Sequence, residues 1–473
     1  MSPKNIERIV RAYRAFRDEP GFARVVPLDE VRDNDYNLNV SLYVAPLVER
    51  EEVDVTALWE EVKAIDREIE AIEERIEGYL REALVPTKED ELKETRIGKI
   101  PASWKVARLT DVADYINGYP FSTKDWKDRG LPIIRIQNLN DPDAEFNYFD
   151  GDIDSKYIVS NGDILFSWSG SIGVYLWNRG KAVLNQHIFK VVPRQGVNRI
   201  YLYYALHVAI EQLKRRVHGS TMKHFRRGEL KATYISFPPI DEQERIAEVL
   251  STVDEAISLS RKAIEAIRAF RDALMAELLA RGIGHEEFKE TEIGRIPVEW
   301  EVVRLNDIVI ECKTGIPVKE QDRVRGPYPY FGANGIIDWV NGYIFDGEYI
   351  IVAQDGSIGA IHYYNGKFWA NNHVWVLKCD TNEVHHHFLF YALKMVPWQY
   401  LAVGSTRPKI TKRILLSVKI PLPSLDEQKR IARILLTVDE RLRAERERLE
   451  RLRRLKEGLM GLLLTGRMRV RAA

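Results

Sequence analysis

The sequence predicts an α+β protein in which two similar globular modules are joined by two long antiparallel coiled-coil helices. Three observations lead to this prediction. Five sequence blocks occur twice in the same order, two long segments carry the same heptad pattern of apolar residues, and short β-prone runs broken by turn residues lie between them. A further helix near the N-terminus is expected to pack on the two long helices.

The duplication is the strongest of these observations. The block PPIDEQERIAEVL at 238–250 returns as PSLDEQKRIARIL at 423–435, an offset of 185 positions. The block TRIGKIPASWKVARL at 95–109 returns as TEIGRIPVEWEVVRL at 291–305. Three short motifs also occur in both copies: GSIG at 170–173 and 356–359, an amide pair followed by His at 185–187 and 371–373, and GST at 219–221 and 404–406. A doubled module suits a target that has two halves.

The long helices follow from apolar residues at alternating steps of four and three, which is a coiled-coil seam. The first seam begins Ile246, Leu250, Val253, Ile257, and the second begins Ile431, Leu435, Val438, Leu442. Polar residues interrupt the seams at matched positions: Ser260 and Arg271 in the first, Glu445 and Lys456 in the second. The two helices are expected to cover each other's apolar stripe, and the polar positions either fix their register or lie at a wet edge.

A third stripe runs from Leu58 to Ala83, and Pro86 is expected to end that helix. The segment 51–94 holds 16 acidic and 6 basic residues, whereas 429–471 holds 14 basic and 6 acidic residues. Each charge run alone is equally consistent with a solvated helix face. Together they favour packing of the acidic helix against the C-terminal basic helix, in a bundle of three or more helices.

Both modules contain short β-prone runs broken by turn residues, a pattern typical of mixed sheets with tight turns. Strands are predicted at 133–136, 163–168, 174–177 and 188–192, with counterparts at 349–353, 360–364 and 374–378, and one helix per module is predicted at 201–215 and 386–396. The first halves of the modules share little sequence, as expected of two modules that read different targets on one frame. The predicted divisions are a tail at 1–55, an acidic helix at 56–85, a first module at 86–240, a first long helix at 241–281, a second module at 282–425 and a second long helix at 426–473.

The bulk composition excludes several classes of protein. The chain has 70 basic and 70 acidic residues and two cysteines, with no apolar run long enough to span a membrane and no signal peptide, which fits a cytoplasmic protein. Nucleotide-binding glycine loops, zinc motifs and the tetrapeptide that amino-methyltransferases use on a flipped base are absent. His385–His387 has no acidic or cysteine partner at ligand spacing, so we expect no catalytic residues, no metal and no cofactor in this chain.

The polar and basic residues that remain are typical of a protein that binds double-stranded DNA. Hydroxyls and cations near the two GST motifs are candidate phosphate contacts, and Asn, Gln and Lys residues of the variable loops are candidate readers of base edges. In the first module the candidates are Gln137, Asn138, Asn140, Ser171, Ser220, Thr221, Lys223 and Arg226. In the second module they are Lys313, Lys319, Gln321, Asn334, Ser357, Ser405, Thr406, Arg407 and Lys409. For Ser171 and Ser357 a role in shaping the turn is the competing interpretation.

The doubled frame, ILFSWSGSIG, the NQH turn, GST and the doubled DEQ block together resemble the specificity subunit of a type I restriction–modification system, over 95–465. The resemblance implies two target-recognition domains that each read half of a split DNA site, without catalysis of their own. It also implies docking of modification subunits, two in number, on the two long helices whose seams begin at Ile246 and Ile431. Those subunits would bring S-adenosylmethionine and methylate adenine, and a restriction subunit would use ATP and Mg²⁺.

The first 85 residues depart from that pattern. The segment 6–44, with DYNLN at 35–39, resembles the C-terminal tail of the modification subunit, although Leu42-Tyr43 stands where the family has Arg-Tyr. We expect this tail to pack in cis on the long helices. Two other functions stay open from sequence: a self-contained fused adenine methyltransferase, which would bind S-adenosylmethionine, and a coiled-coil scaffold whose modules bind protein or glycan.

Overall fold

The computed structural model describes residues 3–19, 22–33, 36, 38, 40, 43–44, 54–216, 227–404 and 406–470. The chain forms two compact units. We call Lys63–Ile264 with Ala444–Ala473 the first-module unit, and Met1–Val62 with Glu265–Arg443 the second-module unit. Each unit contains one globular module together with parts of the long helices.

The helices have the following bounds: α1 Pro3–Ala15, α2 Leu28–Asp33, α3 Val55–Gly78, α4 Leu109–Val112, α5 Ile136–Asn140, α6 Arg199–Arg216, α7 Arg227–Ala232, α8 Ile240–Arg281, α9 Leu305–Ile308, α10 His386–Lys394, α11 Trp398–Leu401, α12 Lys412–Ser417 and α13 Leu425–Leu463. The strands are β1 Leu84–Pro86, β2 Leu92–Lys93, β3 Ile100–Pro101, β4 Lys105–Arg108, β5 Ala113–Asn117, β6 Leu131–Ile134, β7 Asn147–Phe149, β8 Ile158–Val159, β9 Ile164–Ser167, β10 Gly173–Leu176, β11 Ala182–Leu184, β12 Ile188–Pro193, β13 Tyr234–Phe237, β14 Phe288–Thr291, β15 Gly294–Pro297, β16 Glu301–Arg304, β17 Val309–Thr314, β18 Arg325–Gly332, β19 Gly335–Val340, β20 Phe345–Ala353, β21 Ile361–Ala370, β22 Val374–Cys379, β23 Lys419–Leu422 and β24 Met468–Val470.

The predicted long helices correspond to α8 and α13, but the second is shorter than its predicted bound at 473. It ends at Leu463, and Gly466 follows with φ +71°. A Cβ at Gly466 would lie 2.2 Å from the ring of Pro101, so the close turn needs glycine there. The turn directs β24 into antiparallel pairing with β1. The acidic helix also stops earlier than its predicted bound at 85, because α3 passes into a π-helical turn at Tyr79–Ala83 before β1.

In the first-module unit, α8 and α13 run antiparallel, and the polar interruptions of their seams meet. The Ser260 hydroxyl donates to Glu445 Oε1 at 2.7 Å, and Arg448 Nη1 donates to the same Glu445 oxygen and to Ser260 Oγ, both at 3.0 Å. Lys456 pairs with Asp254 at 2.6 Å. Of the two alternatives left open by the sequence, these contacts favour the one in which the polar positions fix the register of the helices.

The second-module unit repeats this arrangement with the equivalent residues. Arg271 Nη1 lies 3.3 Å from Asp439 Oδ1, which mirrors the pair of Lys456 with Asp254. In both units the aspartate accepts a second hydrogen bond, from a tyrosine of the module: Tyr204 on Asp254 and Tyr391 on Asp439, each at 2.7 Å. A carboxylate thus joins a module helix, α6 or α10, to the long-helix pair.

The seam residues lie inside the chain. Eight seam residues were predicted to mark the helices on which other subunits dock. Six of them are between 0 and 7% exposed: Ile246, Leu250, Val253, Ile257, Ile431 and Leu435. Leu442 is 2% exposed and Val438 is half-buried. Seven of these eight side chains are therefore covered within the chain, and Val438 is partly accessible, so docking on α8 and α13 would rely mainly on their outward faces.

Helix α3 packs on both long helices within the first-module unit. Its apolar side is buried, with Ile72 and Ile76 at 4 and 6% exposed. Tyr79 donates to Glu248 at 2.8 Å, and Arg448 Nε donates to Glu73 at 2.9 Å. The pair of Glu73 with Arg448 agrees with the predicted attraction between acidic and basic helices, whereas Arg75 of α3 hydrogen-bonds to Thr252 of α8 at 3.1 Å. The expected packing of this helix on the two long helices is thus seen.

The first module contains two four-stranded sheets, in the orders β10-β9-β12-β5 and β7-β6-β11-β8. Strands β6 and β11 are parallel, with Ile133 opposite Val183, and the other pairings are antiparallel. Helix α6 lies against β10 and β13. The predicted strands of this module correspond to β6, β9, β10 and β12, and the predicted helix to α6.

The second module joins the corresponding strands into one six-stranded sheet, in the order β17-β22-β20-β21-β18-β19. Its parallel pair is β18 with β21, where Phe331 lies opposite Ala370. The single long strand β21 therefore takes the places of both β10 and β11. The predicted strands correspond to β20, β21 and β22 and the helix to α10, while β18 and β19 lie in the variable half, for which no strand was predicted.

The repeated sequence frame attaches each module to a long helix. Trp104 is fully buried and donates from Nε1 to Glu242 Oε2 at 2.9 Å; Trp300 does the same to Glu427 Oε2 at 3.0 Å. These are the Trp of each IPxxW block and the Glu of each DEQ block. Each following Gln satisfies backbone groups at the helix start; Gln243 donates to the Pro238 carbonyl at 2.9 Å and accepts from the Asn198 amide at 2.9 Å.

The two buried carboxylates have different partners. Glu242 is held by Arg469, whose Nε and Nη2 donate to the two carboxylate oxygens at 2.8 and 2.7 Å. Glu427 is held by His285 Nε2, at 2.9 Å from Oε1 and 3.1 Å from Oε2. A buried carboxylate needs such partners because its transfer from water is costly.

Candidate nucleic-acid interface

Three of the repeated motifs meet at one cleft in the second module. The cleft has a volume of about 490 Å³ and is lined by Asp355 and the GSIG turn, His373, and the loop Thr406–Pro408. The GSIG turn follows β20, the His373 turn joins β21 to β22, and the loop joins α11 to α12. Gly356 and Gly359 have φ of +72° and +92°, which favours glycine at both ends of the GSIG turn.

A carboxylate connects these segments at the cleft. Asp355 Oδ1 lies 2.7 Å from His373 Nδ1, and Oδ2 lies 3.5 Å from Lys409 Nζ. The Asp355 side chain is 16% exposed, whereas His373 and Lys409 are each 49% exposed. The Gln354 backbone reinforces the contact, since its amide donates to His373 and its carbonyl accepts from Ile410, both at 2.8 Å. The loop that carries the cations is therefore held at a defined place beside the GSIG turn.

Three of the predicted candidates, Ser357, Thr406 and Arg407, line this cleft, and a fourth, Lys409, pairs with Asp355 beside it. Arg407 and Lys409 are exposed cations, and Ser357 and Thr406 supply hydroxyls beside them. Such groups on one concave surface are suited to phosphate oxygens. Asn334, from the turn between β18 and β19, joins them because its Oδ1 accepts a hydrogen bond from the Ser357 hydroxyl. The structure thus places a side chain of the variable half next to repeated phosphate-binding candidates.

The other described candidates of the second module are exposed but do not line the cleft. Lys313 lies on β17 and pairs with Glu311 at 3.1 Å. Lys319 and Gln321 lie in the turn before β18, both exposed to solvent. They are free to contact a ligand, and their use in DNA reading stays a prediction.

The first module has the same turns with different chemistry. The Trp168 amide donates to the His187 carbonyl at 3.1 Å, as the Gln354 amide does in the second module. Ser169 occupies the position of Asp355, so His187 has no equivalent carboxylate; its ring lies 5.0 Å from the Trp168 ring instead. Among the described residues His187 Nδ1 is buried without a hydrogen-bond partner. Ser171 is exposed at the tip of the turn, where its carbonyl accepts from Ser167 Oγ at 2.7 Å.

The amide candidates of the first module lie on α5, and one of them was predicted wrongly. Asn138 is fully buried, and its amide donates to the carbonyls of Ala144 and Glu145 at 3.0 and 3.1 Å. Those hydrogen bonds shape the turn and leave no edge for a base. Gln137 and Asn140 are exposed, and Asn140 Oδ1 accepts from the Tyr175 hydroxyl at 2.7 Å.

Several sequence-level candidates lie outside the described residues. They are Ser220, Thr221, Lys223 and Arg226 of the first GST segment, Ser405 of the second, and most of DYNLN. The segment of the first module that corresponds to the Lys409 loop therefore lies outside the described residues.

The pair of Asp355 with His373 was not predicted from the sequence. A usable signal existed, because His recurs in both copies while the residue before GSIG is acidic only in the second copy. Among the described residues, no group of three or more His, Cys, Asp or Glu side chains is placed to hold a metal ion. Within the same part of the chain, no helix is both long and apolar enough to cross a membrane.

Comparison with known protein families identifies two kinds of similarity. The model of the type I restriction modification DNA specificity domain matches residues 101–269 and 297–454, and the N-6 DNA methylase model matches residues 1–52. The chain is 31% identical over 424 residues to a putative type I restriction enzyme specificity subunit, MjaX, of Methanocaldococcus jannaschii, which covers 81% of this chain and 98% of that protein.

The N-terminal region has a relative of another kind. It is 46% identical over 82 residues to the type I restriction enzyme MjaVIII methylase subunit of the same organism, which corresponds to 17% of this chain and 14% of that protein. Among solved structures, the S subunit of the type I restriction–modification system from M. genitalium superimposes with a TM-score of 0.53 at 20% identity, over 79% of this chain and 98% of that one. That structural likeness supports the fold.

Proposed function

Because this chain belongs to the specificity subunits of type I restriction–modification systems, we propose that it is the non-catalytic subunit that reads a two-part DNA site. Each module would read one half. The observation that carries this proposal is the doubled module, in which the buried frame of Trp104 with Glu242 recurs as Trp300 with Glu427 while the variable halves differ. The shared frame fixes how each module is attached to its long helix. The different residues of the variable halves would change which DNA sequence each module reads.

Within each module, contacts to phosphates and to bases would have separate sources. In the second module Arg407, Lys409, Thr406 and Ser357 would bind the backbone, which positions the module without sequence information. Asn334, beside Ser357, would then approach base edges in the major groove, where amide side chains pair with adenine. In the first module Gln137 and Asn140 are the exposed amides for this role.

The chemistry of modification and restriction would belong to partner subunits. Modification subunits, two in the complete complex, would bring S-adenosylmethionine and methylate adenine, and a restriction subunit would use ATP and Mg²⁺. They would dock on the outward faces of α8 and α13, because the seam residues are buried within the chain. Such a complex acts on cellular DNA, and we propose a cytoplasmic location.

The test is to reconstitute the chain with its cognate modification subunit and to map methylated adenines on genomic DNA. A split motif with two defined halves is the expected result. Methylation without a motif, or methylation by this chain alone, would mean that recognition and catalysis are not divided as proposed.

A further inference from the structure

The guanidinium of Arg135 has no polar partner among the residues that the structure describes. Arg135 is half-buried between β6 and α5, and its Nε is inaccessible to solvent. Other arginines of the same module are paired, Arg129 with Asp150 at 3.2 Å and Arg194 with Asp114 at 2.7 Å. Because a charged group that is partly removed from water needs an acceptor, Arg135 is suited to one that a ligand supplies.

The side chain of Arg135 is nevertheless held in place. Its guanidinium lies 5.0 Å from the centre of the Trp126 ring. Trp126 in turn packs against the core cluster of Phe121, Ile133 and Val183. An arginine stacked on an anchored aromatic ring keeps its planar set of donors in one orientation, which reduces the entropy lost when a ligand binds.

The repeated frame gives Arg135 a defined place in its module. The Asn185 amide donates to the Ile134 carbonyl at 3.1 Å, and in the second module the Asn371 amide donates to the Phe331 carbonyl at 2.9 Å. Each accepting residue belongs to the parallel strand pair of its module. Ile134 and Phe331 are therefore equivalent positions of the two copies.

This equivalence aligns Gln137 with Asn334 and Arg135 with Gly332. Asn334 contacts the GSIG turn of the second module, and in the first module the Ile136 side chain lies next to the first glycine of the GSIG turn. The segment that carries Arg135 thus lies beside the same repeated turn, but the second module has no side chain at this position. Such a difference on a shared frame is expected where two modules read different bases.

We propose that Arg135 reads a guanine in the half-site of the first module. The O6 and N7 atoms of guanine accept two hydrogen bonds from the terminal nitrogens of an arginine in the major groove, which is the commonest specific contact to that base. The second module would lack this contact because it has Gly332 there. The proposal rests on the proposed function, which it deepens by naming a base and the residue that recognises it.

The test uses the complete chain reconstituted with its cognate modification subunit. The half-site of the first module is identified by exchanging residues 101–237. Duplexes are then made with 7-deazaguanine, which lacks the N7 acceptor, in place of each guanine of that half in turn. For the wild type, one such replacement should weaken binding at least about fivefold. For Arg135→Ala the same replacement should change the affinity less than about twofold, because the contact is already absent.

Arg129→Ala is the matched control, because it removes an exposed arginine of the same module that already pairs with Asp150. This variant should keep the full wild-type loss with 7-deazaguanine. Arg135→Lys retains the charge but not the planar pair of donors, so it should show the same indifference to 7-deazaguanine as Arg135→Ala. Thermal unfolding checks that each variant is folded, and Arg135→Lys carries the comparison if Arg135→Ala is not.

A first half-site without guanine, or a 7-deazaguanine effect that persists in the Arg135 variants, would overturn the proposal. Weakening of all duplexes to the same extent by Arg135→Ala would also overturn it, because Arg135 would then contact phosphate and not a base. These outcomes leave the split motif intact. Absence of any motif would instead be a failure of the proposed function, and this proposal would fall with it.

Discussion

The clearest single perturbation is Asp439→Ala, at the carboxylate that joins α10 to the long helices in the second-module unit. Asp439 accepts from the Tyr391 hydroxyl at 2.7 Å and lies 3.3 Å from Arg271. Tyr391 is 1% exposed, and burial, together with the hydrogen bond to Asp439, raises the pKa of that hydroxyl, which therefore stays a donor at neutral pH. Removal of the carboxylate leaves a buried hydroxyl without its acceptor.

The magnitude follows from the two lost contacts. An unsatisfied buried hydroxyl costs about 1–3 kcal/mol. The ion pair, with both side chains 24% exposed, adds about 0.5–1 kcal/mol. Asp439→Ala should therefore lower the free energy of local opening by about 1.5–4 kcal/mol, and Asp439→Asn, which keeps an acceptor, by about 1 kcal/mol.

Native-state hydrogen exchange of the α10 amides measures this free energy. A loss of about 2 kcal/mol corresponds to roughly 30-fold faster exchange, provided that α10 opens as a unit. In a double-mutant cycle with Tyr391→Phe, the coupling energy should be about 1–2 kcal/mol. Additive effects, or unchanged exchange in α10, would refute the reasoning that this carboxylate holds the module helix.

Three further predictions concern the surface and the thiols. Arg407→Ala should weaken DNA binding of the reconstituted complex similarly for all sequences and reduce the slope of log affinity against log salt by about one, as measured by titrations at several salt concentrations. Gln137→Ala should instead relax selectivity in one half-site by about 1–3 kcal/mol, as measured by competition between matched and mismatched duplexes; equal loss for both duplexes would contradict a reading role. Burial raises the pKa of Cys312 to about 11 and that of Cys379 to about 12, so both thiols stay protonated at pH 8. Their alkylation by iodoacetamide should be at least about 100-fold slower than that of an exposed cysteine and should accelerate as the pH rises toward 11.

The fold was largely accessible from sequence because its determinants are local or repeated. The heptad steps predicted α8 and α13, whereas the polar seam positions left open whether they fix the register, and the contact of Ser260 with Glu445 favours that alternative. The end of α13 was missed because the heptad pattern runs up to it, and Gly466 becomes decisive only through its close approach to Pro101.

The candidate site was less accessible, because it depends on which side chains face solvent. Asn138 and Gln137 are adjacent amides on α5, and one turns into the fold while its neighbour turns outward. Their residue types do not reveal this difference in orientation. Likewise, nothing in the spacing of GSIG, His373 and the Thr406 loop reveals that they meet at one cleft, because the pairing of β20, β21 and β22 brings those turns together.

The central claim is that each module reads its own half of a DNA site. The most direct measurement replaces residues 101–237 by the first module of another specificity subunit and maps the adenines methylated by the reconstituted complex. One half of the motif should change to that of the donor, and the other half should stay as in the wild type. A change in both halves, or in neither, would contradict the account.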